Sequence, residues 1–281
     1  MSDFFASVFE YDYLRNAVLA AFLASISCGI IGSYIIVRRM VFISGGITHA
    51  SFGGIGLGYY LGINPVFGAI IFSILSALGI RLAEKHTQIR EDSAIGILWS
   101  LGMAIGIIFI FLTPGYAPNL MTYLFGSILT VGISDLLMMA CLALITMIVF
   151  YVFYRTILFV AFDEEYARSH NAPVEAVNYL LLLLIALAIV LHIRVVGIIL
   201  VISFLTIPQT TANLFANDLK KIIFLSIALS FIGSILGLIA SFYMNIPSGA
   251  TIIFVFVLIF LVARFIKYLN SKLLRKRNLT A

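Results

Sequence analysis

Residues 38–62 read RRMVFISGGITHASFGGIGLGYYLG, a stretch apolar enough for lipid that nevertheless carries seven glycines and one histidine, His49. Wound as a helix, Gly45, His49, Gly53, Gly56 and Tyr60 recur at steps of three or four and share a face. A glycine stripe lets a neighbouring backbone come close, so His49 is expected against packed protein or a watery path. Imidazole in such a place does one of two things. It hydrogen-bonds across helices as a neutral ring, or it serves as a ligand to a passing zinc, manganese or iron ion. An ionisable side chain inside an apolar run is a functional candidate for either reason. A second candidate ligand, His192, lies in IVLHIRVVG near the end of its run, two residues before Arg194. The alternative there is an imidazole wetted by water and headgroups. His86 and His170 fall in polar connections and read as solvated side chains.

A different chemistry is suggested by FDEEYARSHNAPVEA, residues 162–176. Asp163, Glu164 and Glu165 suit the positive end of a short helix and Arg168 its negative end. Asn171 and Pro173 would stop it after about two turns. Phe162, Tyr166 and Ala167 are then expected on one side, where they could engage a soluble partner. A plain connecting loop is the competing reading. The chain has no G-x-x-x-x-G-K phosphate loop and no H-E-x-x-H pair, so neither ATP hydrolysis nor zinc proteolysis is built in. Asp135 is the one acid near an apolar run outside these polar connections, and beside Gly132 and Ser134 it reads as a helix cap. Cys28 and Cys141 each sit in a separate apolar run and are expected as buried, unpaired thiols.

These residues must be held by membrane helices. With 63% hydrophobic and 10% charged residues over 281 positions, the apolar surface exceeds what one water-soluble globule can hide. The class is all-α, a polytopic integral membrane helical bundle. Spanning runs lie near 14–36, 42–62, 65–83, 93–112, 135–159, 174–193, 195–213, 222–243 and 249–268. This gives about eight to nine crossings, with a half-helix or re-entrant piece near 120–131 and a weak junction near 193–196, where a broken helix could be hidden. On alternating sides, all but Arg15 and Arg194 of the 17 basic residues gather on one face, including the tail from Arg264 to Arg277. That side is expected to be cytoplasmic, placing the N-terminus outside and the C-terminus inside. The basic tail is read as holding to anionic lipid, with no role for nucleic acid.

Five stretches taken in order resemble the membrane permease subunits of ABC-type divalent metal importers. They are RRMVFISGGITHASFGGIGLGYYLG, EDSAIGILWSLGMAIGI, FDEEYARSHNAPVEAVNYLLLL, RVVGIILVISFLTIPQTTAN and IPSGATIIFVFVLIFL. The resemblance spans nearly the whole chain and implies a single permease domain over 1–281. It implies that 162–173 is a cytoplasmic coupling segment for a separate ATPase, with Phe162, Asp163, Glu164, Tyr166, Ala167, Arg168 and Pro173 in the motif. It further implies two copies around one path, a metal-binding protein outside, a bacterial cytoplasmic membrane and no permanently bound cofactor. His49 matches the histidine of the family's Gly-Asp-Ala-x-Ser-His-Ala stretch, associated with metal passage. Here SGGITHA puts Gly45 where the family has its aspartate. Loss of that carboxylate tilts the expected cargo toward zinc or iron and away from manganese, which prefers oxygen ligands. IPQTTAN also departs from the family's Ile-Pro-Ala-Ala-Thr-Ala, and its added polar groups are expected to make compensating contacts. The rival readings are an ABC permease for a metal chelate and an ion-gradient-driven carrier.

Overall fold

An α-helix of 20 residues is about 30 Å long, the thickness of a bilayer's hydrocarbon core. The computed structural model describes residues 2–86, 90–114 and 126–279, and side chains there other than those of 2–3, 84–86, 91 and 273–279. Seven helices have the length and apolar composition to cross: α2 (Asp12–Val37), α4 (Pro65–His86), α5 (Glu91–Leu112), α6 (Ile133–Val152), α9 (Val174–Val196), α11 (Leu219–Met244) and α12 (Ser248–Leu279). Two more, α3 (Val41–Tyr60) and α10 (Ile198–Ala212), complete the nine apolar runs of the sequence. The first is diluted by glycine, and the second has only 15 residues. Short helices α1 (Ser2–Glu10), α7 (Tyr154–Phe162) and α8 (Glu164–Ser169) flank the spans. The described residues contain no strand. The chain is a polytopic helical bundle.

Lipid offers no hydrogen bonds, so each helix must satisfy its own backbone and then find neighbours by close packing. The bundle centre is α2, whose Ala17, Ala20, Ala21, Ala24 and Cys28 are fully buried. It packs against α6, α10 and α11, while α3 lies between α4 and α5. Short α10 is surrounded by α2, α11 and α12, so its incomplete span meets protein. Pro208 interrupts α10 and leaves the Phe204 carbonyl without its helical donor. The Gln209 amide fills the gap, donating 2.8 Å to that carbonyl and 2.8 Å to the Cys28 carbonyl of α2. This is the compensating contact expected from IPQTTAN.

Four boundaries differ from the sequence reading. The run 135–159 is two helices, because α6 closes at Phe153 after a full membrane thickness and α7 starts afresh. The run 174–213 breaks at Gly197, which holds φ +80 and ψ 164, a conformation open essentially to glycine. A Cβ on Gly126, itself at φ +61, would lie 2.3 Å from the Gly197 nitrogen, so two glycines make this crossing of backbones possible. Helix α1 was not anticipated, although its Phe4 is buried against Phe242 of α11. Of the expected piece at 120–131, residues 120–125 lie outside the described residues, and 128–130 form one 3-10 turn. The cysteines divide: Cys28 is buried, but Cys141 is exposed on the bundle surface, and both are free thiols.

Candidate functional site

Two regions answer to the residues singled out by the sequence. The first is the contact between α3 and α5. At Gly56 a Cβ would stand 2.3 Å from the Gly106 carbonyl oxygen, and at Gly53 one would stand 2.9 Å from that of Gly102. Backbone therefore lies on backbone, and no other residue fits at either position. Gly45 belongs to the same face but not to the same packing, since a Cβ there would meet only the Trp99 ring, at 4.0 Å. The expectation that Gly45 seats a neighbouring helix is corrected by that distance.

Trp99, on α5, is the residue that sequence reading missed. Its ring stacks on His49 with centroids 4.0 Å apart and planes within 7°. The imidazole is half-buried, and its Nδ1 is buried with no hydrogen-bond partner. His49 thus presents one face to an aromatic wall, with no carboxylate one turn before it on α3. Among the described residues no group of three or more His, Cys, Asp or Glu could hold a metal ion.

His192 is fully buried, which removes the reading of an imidazole wetted at the interface. Its Nδ1 donates to the Ala188 carbonyl at 2.7 Å, so Nε2 is left to accept from the Ser27 hydroxyl at 3.0 Å. Any ion at this ring would have to displace Ser27. Asp135 receives the Gly132 N–H at 3.2 Å and pairs with Arg194 at 3.2 Å, so it is a capping acid with a fixed counter-ion. It sits three residues inside the cap that the sequence suggested. His170 is exposed and lies against Tyr166 with the rings tilted by 37°, while the His86 side chain lies outside the described residues.

The second region is α8. Asp163 caps it by accepting the Tyr166 N–H at 2.9 Å, and Asn171 ends it in the left-handed conformation at φ +55. Glu164 faces the bundle, bonded to Arg38 at the end of α2 and to Asn178 of α9 at 3.1 Å. Arg168 reaches Glu175 at 2.8 Å. Pro173 forms the cap before α9. Phe162 and Tyr166 are exposed at 61% and 46%, whereas Ala167 is fully buried. Ala167 therefore does not share the outward side with them. Its methyl seats the helix on the bundle, and the aromatic pair faces outward.

The sequence model of the ABC 3 transport family matches residues 10–267. The chain belongs to that family. An uncharacterized membrane protein, slr2045, of Synechocystis sp. is 41% identical over 94% of both chains. The manganese transport system membrane protein MntC of Halalkalibacterium halodurans is 35% identical over 94% of this chain and 91% of its own. The solved structure of PsaBC from Streptococcus pneumoniae in complex with Fab is similar at a TM-score of 0.87 and 33% identity, over 96% of this chain and 99% of that one. This ABC 3 chain is thus a permease subunit of an ABC-type metal importer. It is a transport subunit and not itself an enzyme, ATP hydrolysis belonging to a separate subunit.

Proposed function

We propose that this permease passes a bare divalent transition-metal ion inward past His49, with zinc preferred over manganese or iron. Two copies would line the path in a bacterial cytoplasmic membrane, and a binding protein outside would deliver the ion. ATPase subunits inside would grip α8 by Phe162 and Tyr166. The reading rests on His49, whose ring lies beside glycine-packed backbones with a buried, unpartnered Nδ1. Without a carboxylate at Gly45, the donor on offer is nitrogen, which zinc accepts more readily than manganese does. The metal-chelate reading is weaker, because Gly102 and Gly106 of α5 press against α3 at backbone contact and leave little width for a bulky cargo. A coupling carboxylate for an ion-gradient carrier is not on offer in Asp135, which Arg194 neutralises.

Manganese is the second reading, supported by relatives whose names carry it. Uptake of labelled zinc, manganese and iron into vesicles holding this chain with its ATPase and binding protein distinguishes them. Zinc should enter fastest, and His49→Ala should slow it at least about tenfold while the ATPase still co-purifies. Gly45→Asp, whose Cβ would make only an ordinary contact with the Trp99 ring, should shift the ratio toward manganese. Wild-type zinc uptake by His49→Ala would remove His49 from the path, and manganese entering fastest in the native chain would reverse the cargo.

A further inference from the structure

At the end of the bundle that carries α8, a cavity of about 230 Å³ is lined by Arg38, Arg39 and Arg81 with Met40, Ile43 and Ile80. Three guanidinium groups at one small cavity repel one another unless an anion answers them. Glu164 answers part of Arg38, and Glu175 lies 3.8 Å from Arg81 but is also held by Arg168. Arg38 still has its Nε buried without a partner. Arg39 is exposed, stands in the left-handed conformation at φ +59, and makes no side-chain hydrogen bond or ion pair among the described residues. An arginine held in the sparsely populated left-handed conformation, and paired to nothing among the described residues, invites a ligand.

The backbone adds a second attraction. Helix α3 begins at Val41 with Met40 as its cap, and among the described residues no side chain accepts its first N–H groups. Met40 and Ile43 line the cavity, so the positive end of a 20-residue helix opens into it. Guanidinium forks and a free helix N-terminus are the two devices that proteins use for phosphate. Among the described residues Glu164 pairs with Arg38 and Glu175 with Arg81, and neither pairs with Arg39.

We propose that this cavity binds a phosphate group, carried by an anionic lipid headgroup of the adjoining leaflet or present as the free ion. The occupant ties the α2–α3 turn to the end of α4. It also touches Arg38, which holds Glu164 of α8 on one side while its own helix runs into α3, the helix of His49. Phosphate there thus stiffens the link between the coupling segment and the path. The cytoplasmic placement of this end rests on the orientation proposed above, but phosphate recognition does not. Since metal uptake is not the readout, failure of either proposal leaves the other standing.

The test titrates the full chain in detergent with phosphatidylglycerol or phosphatidylcholine and counts bound lipid by native mass spectrometry. A parallel arm measures the melting shift with inorganic phosphate alone. Phosphatidylglycerol should bind at least about tenfold more tightly than phosphatidylcholine. Arg39→Asn, which suits the left-handed backbone and removes the charge, should bring the two lipids level, while Arg39→Lys should keep part of the preference. Arg155→Gln, which removes an exposed charge outside the cavity, should change nothing. A melting shift with inorganic phosphate that Arg39→Asn abolishes assigns the site to the free ion when the lipid preference is absent. Neither lipid preference nor phosphate shift in the native chain overturns the proposal. So does a preference that survives Arg39→Asn or that Arg155→Gln lowers equally.

Discussion

A methyl group at Gly56 and one at Gly45 should have opposite consequences, though both lie on one face of α3. At Gly56 the new carbon meets the carbonyl and Cα of Gly106 at 2.3 and 2.7 Å, and backbone cannot step aside as a flexible side chain can. Gly56→Ala should cost about 1–3 kcal/mol by forcing α5 away. At Gly45 the carbon reaches only ordinary contact with Trp99, and alanine in place of a helical glycine contributes up to about 1 kcal/mol of stability. Thermal unfolding of the solubilised chain should therefore rank Gly45→Ala at or above the native protein and Gly56→Ala well below it. The reverse order would refute this helix contact. The sequence made the common face of these residues legible, since periodicity alone fixes which residues share a side. It could not supply the distance to the next helix, so Gly45 read as one more packing glycine. Trp99 escaped for the same reason, being 50 residues away in the chain and adjacent only after α5 docks on α3.

At the scale of the element, α8 is held by an acid whose ionisation can be followed. Burial by itself would raise the Glu164 carboxyl, but the Asn178 amide and the Arg38 guanidinium, with Arg81 beyond, more than offset it and hold it below the usual carboxylate value. A carboxyl lowered on folding stabilises the native state fully above its unfolded value of about 4.3 and loses that contribution as pH falls through the lowered value. Native protein should thus be more stable than Glu164→Gln at pH 7, and the gap should close only in acid, below about pH 4. Urea unfolding monitored between pH 7 and 3 checks this, and a gap that is constant across the range would show that Glu164 acts through shape and not charge. The existence of this short helix was readable from its acidic start and basic end. Its rotation was not, because Ala167 is as compatible with an outward patch as with the buried seat it occupies. Helix breaks followed the same division. Gly197 carried a local sign, a glycine in a long apolar run, whereas Phe153 and the start of α7 carry none that composition reveals.

For the whole molecule, the distribution of charge and the order of helices must agree on which end faces the cell interior. Arg38, Arg39, Arg81, Arg155, Arg168, Lys220 and Lys267 lie at one end of the runs, the end that bears α8. Arg15 and Arg194 lie at the other, where both have acidic partners, Asp12 at 2.7 Å and Asp135 at 3.2 Å. So the end bearing Arg15 and Arg194 is basic only where it is already neutralised, while the end bearing α8 keeps charge to spare for anionic lipid. A soluble ATPase can reach Phe162 and Tyr166 only if that end is inside. The orientation is testable with single cysteines in a chain whose exposed Cys141 and buried Cys28 have been replaced by serine and alanine. Ser169→Cys, at the exposed end of α8, should react with a membrane-impermeant maleimide only in inside-out vesicles. Ile63→Cys, exposed in the turn between α3 and α4, should react only in right-side-out vesicles or whole cells. Because α3 separates the Arg39 turn from the Ile63 turn by one membrane thickness, the two sites must give opposite answers. Labelling of both from one side would mean that glycine-rich α3 does not cross, and His49 would then have no path to line. Labelling of each from the unexpected side would put α8 outside the cell, out of reach of any ATP-driven partner.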